Sequence, residues 1–376
     1  MCIRDRSYLA RINYGFKSRY YIDASWRTDG SSRFHPSDRW GHFWSVGASW
    51  RISEEQFMEN TRQWLDNLTL KVSYGVQGND NLGTYYAWQG LYDYTWPNAT
   101  DAGAFVDKLE NRKVTWEKNG NLNAGIEATM FGGRLGVSVE YYNRKTRDML
   151  LNSPLPISTG FTGFNDNVGS LRNQGLEVSL RGTILDKRDF RWDATLMGSF
   201  NRNKVLSLTG GQDVITSGIR VIEVGRPIYT FYLPKTAGVD PATGKQLYYA
   251  YWTQTVNDEG ALVNTRCDEY ITDNVAMATL SKYYHESREP KLFGSIGSTF
   301  TILKNIDVSF LTTYSIGGWV YDGLYNGSMY VQYAGNNWHK NAKRRWQKPG
   351  DKTDVPMLEV GGSYATASNS LIDASY

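Results

Sequence analysis

FRWDATLMGSF, Phe190–Phe200, reads as a strand with two unlike faces. Its even positions are Phe190, Trp192, Ala194, Leu196, Gly198 and Phe200, and its odd positions are Arg191, Asp193, Thr195, Met197 and Ser199. Successive side chains of a strand point to opposite faces, so this spacing makes one face apolar and the other largely polar. The same alternation marks Leu68–Val76, where Leu68, Leu70, Val72, Tyr74 and Val76 stand against Thr69, Lys71, Ser73 and Gly75. It returns at Ile306–Ile316, where Ile306, Val308, Phe310, Tyr314 and Ile316 stand against Asp307, Ser309, Thr313 and Ser315. About ten such segments recur, over 7–16, 19–28, 41–52, 68–77, 121–130, 134–145, 173–184, 190–201, 293–302 and 306–316. Most approach the ~9–11 residues that a tilted membrane-spanning strand needs.

The links between the segments alternate in length. Short links fall at Lys17-Ser18, Gly132-Gly133, Asp186 to Asp189 and Lys304-Asn305, and long ones cover about 78–120, 146–172, 202–292 and 317–370. A modest loop, Asp29 to Arg39, lies on the long side. Ser53 to Asn67 lies on the short side, and its SEEQF start predicts a helix cap and first turn. Partners across a hairpin must share a face. Phe16 and Tyr20, Met130 and Leu135, and Ile302 and Ile306 all satisfy that parity, the middle pair across a two-residue Gly132-Gly133 turn. The expected topology is one antiparallel meander.

A soluble sandwich would show the same alternation with its apolar face turned inward. The order of residues along each strand separates the two. Phe16, Tyr20, Trp50, Phe190, Trp192 and Phe300 sit near the short links, and Trp26, Trp44, Tyr74, Tyr141, Phe200 and Tyr314 near the long ones. Ile22, Ala24, Val46, Ala48, Val72, Ile126, Val137, Val139, Leu196 and Val308 lie between them. Two aromatic girdles around an aliphatic band are the mark of an outer-membrane barrel, as are short turns on one side and long loops on the other. The fold predicted is all-β, an antiparallel transmembrane β-barrel meander. Val137, Val139 and Leu196 are expected to face lipid, and Ser138, Glu140 and Thr195 the lumen. Arg191, Asp193, Lys71, Glu127, Glu140, Glu177 and Arg181 are expected on the lumen side, because a dry core would have to hold so many charges at high cost.

Composition narrows the function classes. Among 376 residues, 41 Lys+Arg balance 38 Asp+Glu to a net charge of +3, which gives no footprint for nucleic acid. No apolar run approaches the ~20 residues of a membrane-spanning helix. Aromatics at 14% argue against disorder and for strands. Cys2 and Cys267 make no disulfide framework, and His35, His42, His285 and His339 show no ligand spacing, so no metal, cofactor or catalytic set is expected. Residues 1–6 (MCIRDR) are expected to be a disordered or non-native head without a signal peptide, and residues 7–376 a partial barrel domain, part of a longer reading frame.

Several longer motifs carry a resemblance. RTDGSSRF (Arg27 to Phe34), WSVGASWRISEEQF (Trp44 to Phe57), LKVSYGVQGN (Leu70 to Asn79), Val114 to Leu150, NVGSLRNQGLEVSL (Asn167 to Leu180), DPATG (Asp240 to Gly244) and RRWQKPGDKTDVP (Arg344 to Pro356) resemble the SusC/RagA family of TonB-linked outer-membrane proteins of Bacteroidota. The resemblance covers residues 7 to 376. It implies a TonB-dependent importer of oligosaccharides or peptides in the outer membrane. It also implies a SusD-like surface lipoprotein over the barrel and a TonB complex reached through an N-terminal part. The family's signal peptide, TonB box, plug and closing strands have no counterpart among these motifs. Competing readings are a self-contained small barrel with a structural or adhesive role, and a barrel hydrolase using His285, Glu286 and Glu289.

Three aromatic-rich links are the candidate contact surfaces. Tyr85, Tyr86, Trp88, Tyr92, Tyr94 and Trp96 crowd one, Tyr248, Tyr249, Tyr251 and Trp252 another, and Tyr321, Tyr325, Tyr330 and Tyr333 a third. Flat rings stack on sugars, anchor protein partners, or pack loop against loop. Trp88, Trp96, Tyr249, Tyr251 and Trp252 are the contact residues chosen. The link from about Asn201 to Lys291, with strand-like stretches at Ile228 to Leu233 and Gln246 to Trp252, is expected to be an ordered subdomain. DPATG reads as a tight turn rather than a calcium loop, and Lys343-Arg344-Arg345 as a solvated anchor rather than a phosphate site.

Overall fold

The structure is a computed structural model and describes residues 5–86, 88–98, 101–208, 213–329, 335, 337–358, 364–365 and 367–376. Tyr330, Tyr333 and residues 1–4 of the expected head lie outside the described residues. The chain divides into two compact units. One comprises the residues up to Ile215 with Glu223–Ile228 and Lys291–Tyr314, and the other Thr216–Ile222, Tyr229–Pro290 and Ser315–Tyr376.

The first unit is built on one antiparallel meander of ten strands, here called the wall. They are β1 (Arg6–Phe16), β2 (Tyr20–Gly30), β3 (Trp40–Arg51), β4 (Leu65–Asn79) and β5 (Glu117–Met130), followed by β6 (Leu135–Arg147), β7 (Ser170–Lys187), β8 (Phe190–Ser207), β9 (Leu292–Ile302) and β10 (Ile306–Ile316). Sheet order follows chain order from β1 to β10. Every segment read from the alternation is a wall strand. β5, β7 and β8 run several residues beyond their expected ends on the long-loop side.

The register confirms the two faces. Ala128, Val137, Leu180, Leu196 and Ile296 form one cross-strand row, and Glu127, Ser138, Ser179 and Met197 occupy neighbouring positions on the other face. Val139 pairs with Ile126 and Val178, whereas Glu140 pairs with Gly125 and Glu177. Large apolar side chains of that face stay exposed. Ile22, near the start of β2, is 52% exposed, and Leu196 and Ile296, within β8 and β9, are 43% and 52% exposed. In water such a continuous apolar surface would be a large liability, and in a bilayer it is the required surface. No described helix is long and apolar enough to cross a membrane. Face purity is incomplete, since Leu9, Met197, Phe293 and Leu311 sit on the polar side.

The short links differ in detail from expectation. Phe16 still pairs with Tyr20, and Met130 with Leu135. The link after β5 is four residues, Phe131–Arg134, with Phe131, Gly132 and Gly133 all at positive φ. Between β7 and β8 only Arg188 and Asp189 remain, because Lys187 pairs with Phe190. Ile184 is the extra residue of a bulge between Thr183 and Leu185, which shifts parity before the turn. The expected helix after β3 is two 3-10 turns, Ile52–Glu54 and Gln56–Thr61, with no side-chain cap. Ser53 falls inside the first turn instead of capping it, and Glu55, between the two turns, accepts hydrogen bonds from Tyr20 and Trp50.

At the long-loop ends, residues bury in the ordinary way. Phe34, Phe43, Val114 and Trp116 form a core against Val76, Leu82, Trp88 and Leu150. Phe43 rises from the polar face of β3 into that core. A Cβ on Gly41 or Gly78 would overlap its ring, so both positions must be bare.

The second unit holds a sheet in which Thr230–Val239 pairs with Arg220–Glu223, Gln246–Val256 and Lys282–Ser287, and Gln246–Val256 pairs in turn with Leu262–Thr272. The expected stretch Gln246 to Trp252 lies within one of these strands and Ile228 to Leu233 overlaps the start of another, so the long link is ordered, but its compact unit also takes in Ser315–Tyr376. A short helix, Val275–Leu280, is capped by Asn274, whose side chain accepts from the Ala276 and Met277 amides. Tyr248, Ala278, Ala365 and Ala367 form its core. The strand Gln246–Val256 bulges between Ala250 and Trp252, and buried Ser281 Oγ accepts from the Tyr251 and Trp252 amides at 2.9 and 3.1 Å.

Candidate functional site

The polar wall face is the first candidate surface. A concave space of about 890 Å3 is lined by Asp23, Ser25, Arg27, Ser45, Gln77 and Asn123, among others. A second, of about 410 Å3, is lined by Asn121, Asn123, Glu140, Tyr142, Arg144, Asn173, Glu177 and Asn201. Every lining side chain of the second space is polar or charged, because only the odd or even set of each strand reaches this face.

Of the seven expected lumen charges, four pair across or along the wall. Lys71 Nζ lies 2.5 Å from Glu127 Oε1. Arg191 donates through Nε and Nη2 to both Asp193 oxygens at 2.6 and 2.9 Å, and Thr183 donates to the same carboxylate. Amides knit the rest. Arg144 Nε donates to Asn121 Oδ1 at 2.7 Å, Tyr142 OH to Asn201 Oδ1 at 2.9 Å, and Thr146 Oγ1 to Asn119 Oδ1 at 2.6 Å. Glu140 and Glu177 stand directly opposite each other. Like charges in that position repel in a dry site and are tolerated in a hydrated one.

The aromatic residues chosen from sequence fall into two separate groups. Trp88 is half-buried against the Phe34/Trp116 core, with the ring of His35 edge-on at 5.0 Å. Trp96 is 65% exposed on the hairpin Leu91–Asn98/Asp101–Lys108, its ring 6.2 Å from Phe105. In the second unit, Tyr249 lies under Lys235 Nζ at 4.4 Å. Tyr251 packs edge-on to Tyr283 at 5.3 Å, beneath Arg266 at 5.3 Å, and donates its hydroxyl to the Lys282 carbonyl at 2.6 Å. Burial, with help from a hydrogen bond to Tyr232, pushes the Tyr251 phenol up to about 12. Burial and the Glu269 carboxylate also raise Tyr283. Trp252 contributes its backbone to the Ser281 and Tyr270 hydrogen bonds. Sequence reasoning missed Lys235, Arg266 and Tyr283. Only strand pairing brings them to these rings, and nothing local signals it.

His285, singled out for the hydrolase reading, donates through Nε2 to the Leu233 carbonyl at 3.1 Å within its own sheet. Burial, then Lys235, lower its pKa. Burial raises Glu289.

The recurring motifs turn out to clamp the long loops in pairs. Ser31 Oγ donates to Asp80 at 2.7 Å, and Arg33 donates to the Asp80 carbonyl and stacks on Tyr85. Asn167 accepts from the Thr115 amide at 2.8 Å while donating to the Thr115 and Asp148 carbonyls. DPATG and RRWQKPGDKTDVP, about a hundred residues apart, also meet. Trp346 Nε1 and the Gly350 amide both donate to the Pro241 carbonyl, at 2.9 and 2.8 Å, and the Met357 amide donates to the Gly244 carbonyl. Asp240 spends its carboxylate on Thr243 Oγ1 and the Ala242 amide, which holds its pKa below the usual carboxylate value. That use of both oxygens makes DPATG a turn, as its sequence suggests.

Residues 3–371 match the family described as TonB dependent receptor-like, beta-barrel. The TonB-dependent receptor SusC of Bacteroides thetaiotaomicron is 30% identical over 347 residues, 89% of this chain and 34% of that protein. The TonB-dependent receptor P26 of Formosa agariphila is 39% identical over 212 residues, 56% of this chain and 21% of that protein. Among solved structures, a chain of the RagAB peptide transporter superposes with a TM-score of 0.81 at 31% identity, covering 99% of this chain and 40% of that one. This chain therefore spans well under half the length of the relatives it matches.

Proposed function

The chain belongs to the TonB dependent receptor-like β-barrel family, and on that premise we propose that it supplies wall and surface loops to an outer-membrane importer of oligosaccharides or peptides. The observation that carries the reading is the division of the wall. An uncovered apolar face suits lipid, and an opposite face of paired charges and amides suits a hydrated passage for polar cargo. Cargo of that class needs many weak polar contacts rather than a dry pocket. Import would draw energy from a TonB complex through an N-terminal segment, with a SusD-like lipoprotein closing the outer mouth. We treat residues 7–376 as one barrel domain whose long links carry the second unit.

The contact surfaces for cargo or lipoprotein are the hairpin carrying Trp96 and the strand carrying Tyr249, Tyr251 and Trp252. Trp88 and Tyr251 hold their loops in place, Trp96 offers accessible ring area, and half-buried Tyr249 presents its ring beneath the Lys235 ammonium. The test is a Trp96→Ala, Tyr249→Ala double variant of the natural protein in its own membrane. The barrel is expected to assemble and shift in gel mobility on boiling as the parent does, while lipoprotein co-purification or cargo uptake falls. Parental levels of both would leave these rings as rim packing and remove them from the site.

A further inference from the structure

The segment between β3 and β4 is the feature that the transport reading leaves unused. Its two 3-10 turns lie on the short-link side, where a simple hairpin would suffice. Glu55 decides where the segment goes. Its Oε1 accepts from Tyr20 OH at 2.5 Å and from Trp50 Nε1 at 3.1 Å, and its Oε2 accepts from Arg19 Nη1 at 3.2 Å. Tyr20 pairs with Trp50 and Phe16 on the apolar face, and the Tyr20 ring stacks on both of theirs, at 6.4 and 6.5 Å. The carboxylate therefore pins the segment against the outside of the wall, at the aromatic girdle. Leu65 is buried at the segment's far end. Phe57, 67% exposed, and Trp64, 44% exposed, are left uncovered.

We propose that residues 52–64 form an interfacial foot that lies along the lipid–water boundary of the leaflet nearest the short turns and fixes the height of the wall in the bilayer. The occupant of the exposed Phe57 and Trp64 surface is the phospholipid interface, because this surface continues the apolar wall face through the Tyr20–Trp50 girdle. The chemistry fits that zone. Aromatic rings favour the headgroup level, and a charged anchor is tolerable there but not at the midplane. Arg19 offsets the Glu55 charge. The inference rests on the wall spanning a membrane, and the experiment reads that premise separately.

The natural protein, with Cys2→Ser and Cys267→Ser, is reconstituted in phosphatidylcholine vesicles and labelled with a polarity-sensitive fluorophore at one of three positions. Ile22→Cys reports the lipid-facing band, Asp258→Cys an exposed turn, and Phe57→Cys the foot. Quenching of the Ile22 label by deep nitroxide lipids secures the premise, and failure there sinks the membrane reading itself. Given that, the Phe57 label is expected to be blue-shifted from the Asp258 label and quenched most by nitroxides near the headgroup. A Phe57 label that matches Asp258 and yields to an aqueous quencher overturns the foot. A blue-shifted label that no nitroxide lipid reaches would mean burial against another protein copy, and would overturn lipid as the partner. Adding Glu55→Ala should move the Phe57 label toward the Asp258 spectrum while heat-shifted gel mobility is kept. An unmoved label overturns the clamp. Should Glu55→Ala fail to assemble, Tyr20→Phe and Trp50→Phe combined with Arg19→Met remove all three donors to Glu55 while keeping aromatic rings at positions 20 and 50, and the same shift is expected.

Discussion

The wall and the second unit bury opposite halves of their sequences. In the wall, Ile22, Leu196 and Ile296 stay exposed while Lys71 and Glu127 pair on the other face. In the second unit, Tyr248 and Ala278 are buried and Lys235 lies over the outer Tyr249 ring. The chain uses the same residue types and the same period of two in both places. The solvent differs. An apolar side chain gains by leaving water, and the wall supplies that by meeting lipid, whereas the second unit supplies it by folding on itself. An exposed Leu therefore has no fixed meaning until its surroundings are known.

Six variants, in four tests, probe this contrast. The largest effect is expected at the loop core of the first unit. Phe34→Ala removes a fully buried ring and should cost about 3–5 kcal/mol locally, read as faster hydrogen exchange at Val114 and Trp116. Ile22→Ala in the wall should cost far less, since acyl chains fill the gap. Equal costs would erase the distinction. Next comes Val139→Arg on the lipid face, which should destabilise by roughly 2–4 kcal/mol near the midplane, against a much smaller loss for Ser138→Arg. Urea titration of folding into vesicles compares the two, and similar losses would count against separate faces.

Asn167→Ala strips a loop clamp of its bonds to Thr115 and Asp148. A loss of about 1–3 kcal/mol is expected, visible as protease cutting near 148–167 with the wall intact. The smallest effect concerns Asp240. Its folded pKa lies below the unfolded value because Thr243 and the Ala242 amide bond the charged form. Its contribution is thus fully present above the unfolded carboxylate pKa, about 3.9, and is lost as pH falls through the lower folded value. Asp240→Asn should flatten this acid response in hydrogen exchange at Gly244, and an unchanged response would remove Asp240 as its source.

Much of the wall is legible in the sequence because lipid and water act on every residue of a spanning strand. Phe190 to Phe200 cannot drift by one position without turning Arg191 and Asp193 into the membrane. Beyond the membrane that pressure ends. β8 runs on to Ser207 with Val205 buried, and the alternation there no longer marks a face. Ile184 is invisible as a bulge, since an apolar residue suits either side of a strand end. The capping pattern at Ser53 is locally sound, yet the turn begins one residue earlier, at Ile52, and the hydrogen bonds of Glu55 with Tyr20 and Trp50 are tertiary contacts that no local pattern shows. The aromatic links announce rings but not their partners. Trp88 joins a core and Tyr251 a cation-bearing sheet through contacts that span tens of residues.

The central claim is that one face of each wall strand meets lipid and the other meets water. Cysteine substitution at each position from Ala194 to Ser199, in the protein in native membranes with Cys2 and Cys267 replaced, tests it most directly. The account predicts that a membrane-impermeant, water-soluble maleimide labels the substitutions at Thr195 and Met197, with Ser199 shielded by its burial, and spares those at Ala194, Leu196 and Gly198, with nitroxide lipids reaching only that last set. Labelling that ignores parity, or that favours Leu196 over Thr195, would contradict it.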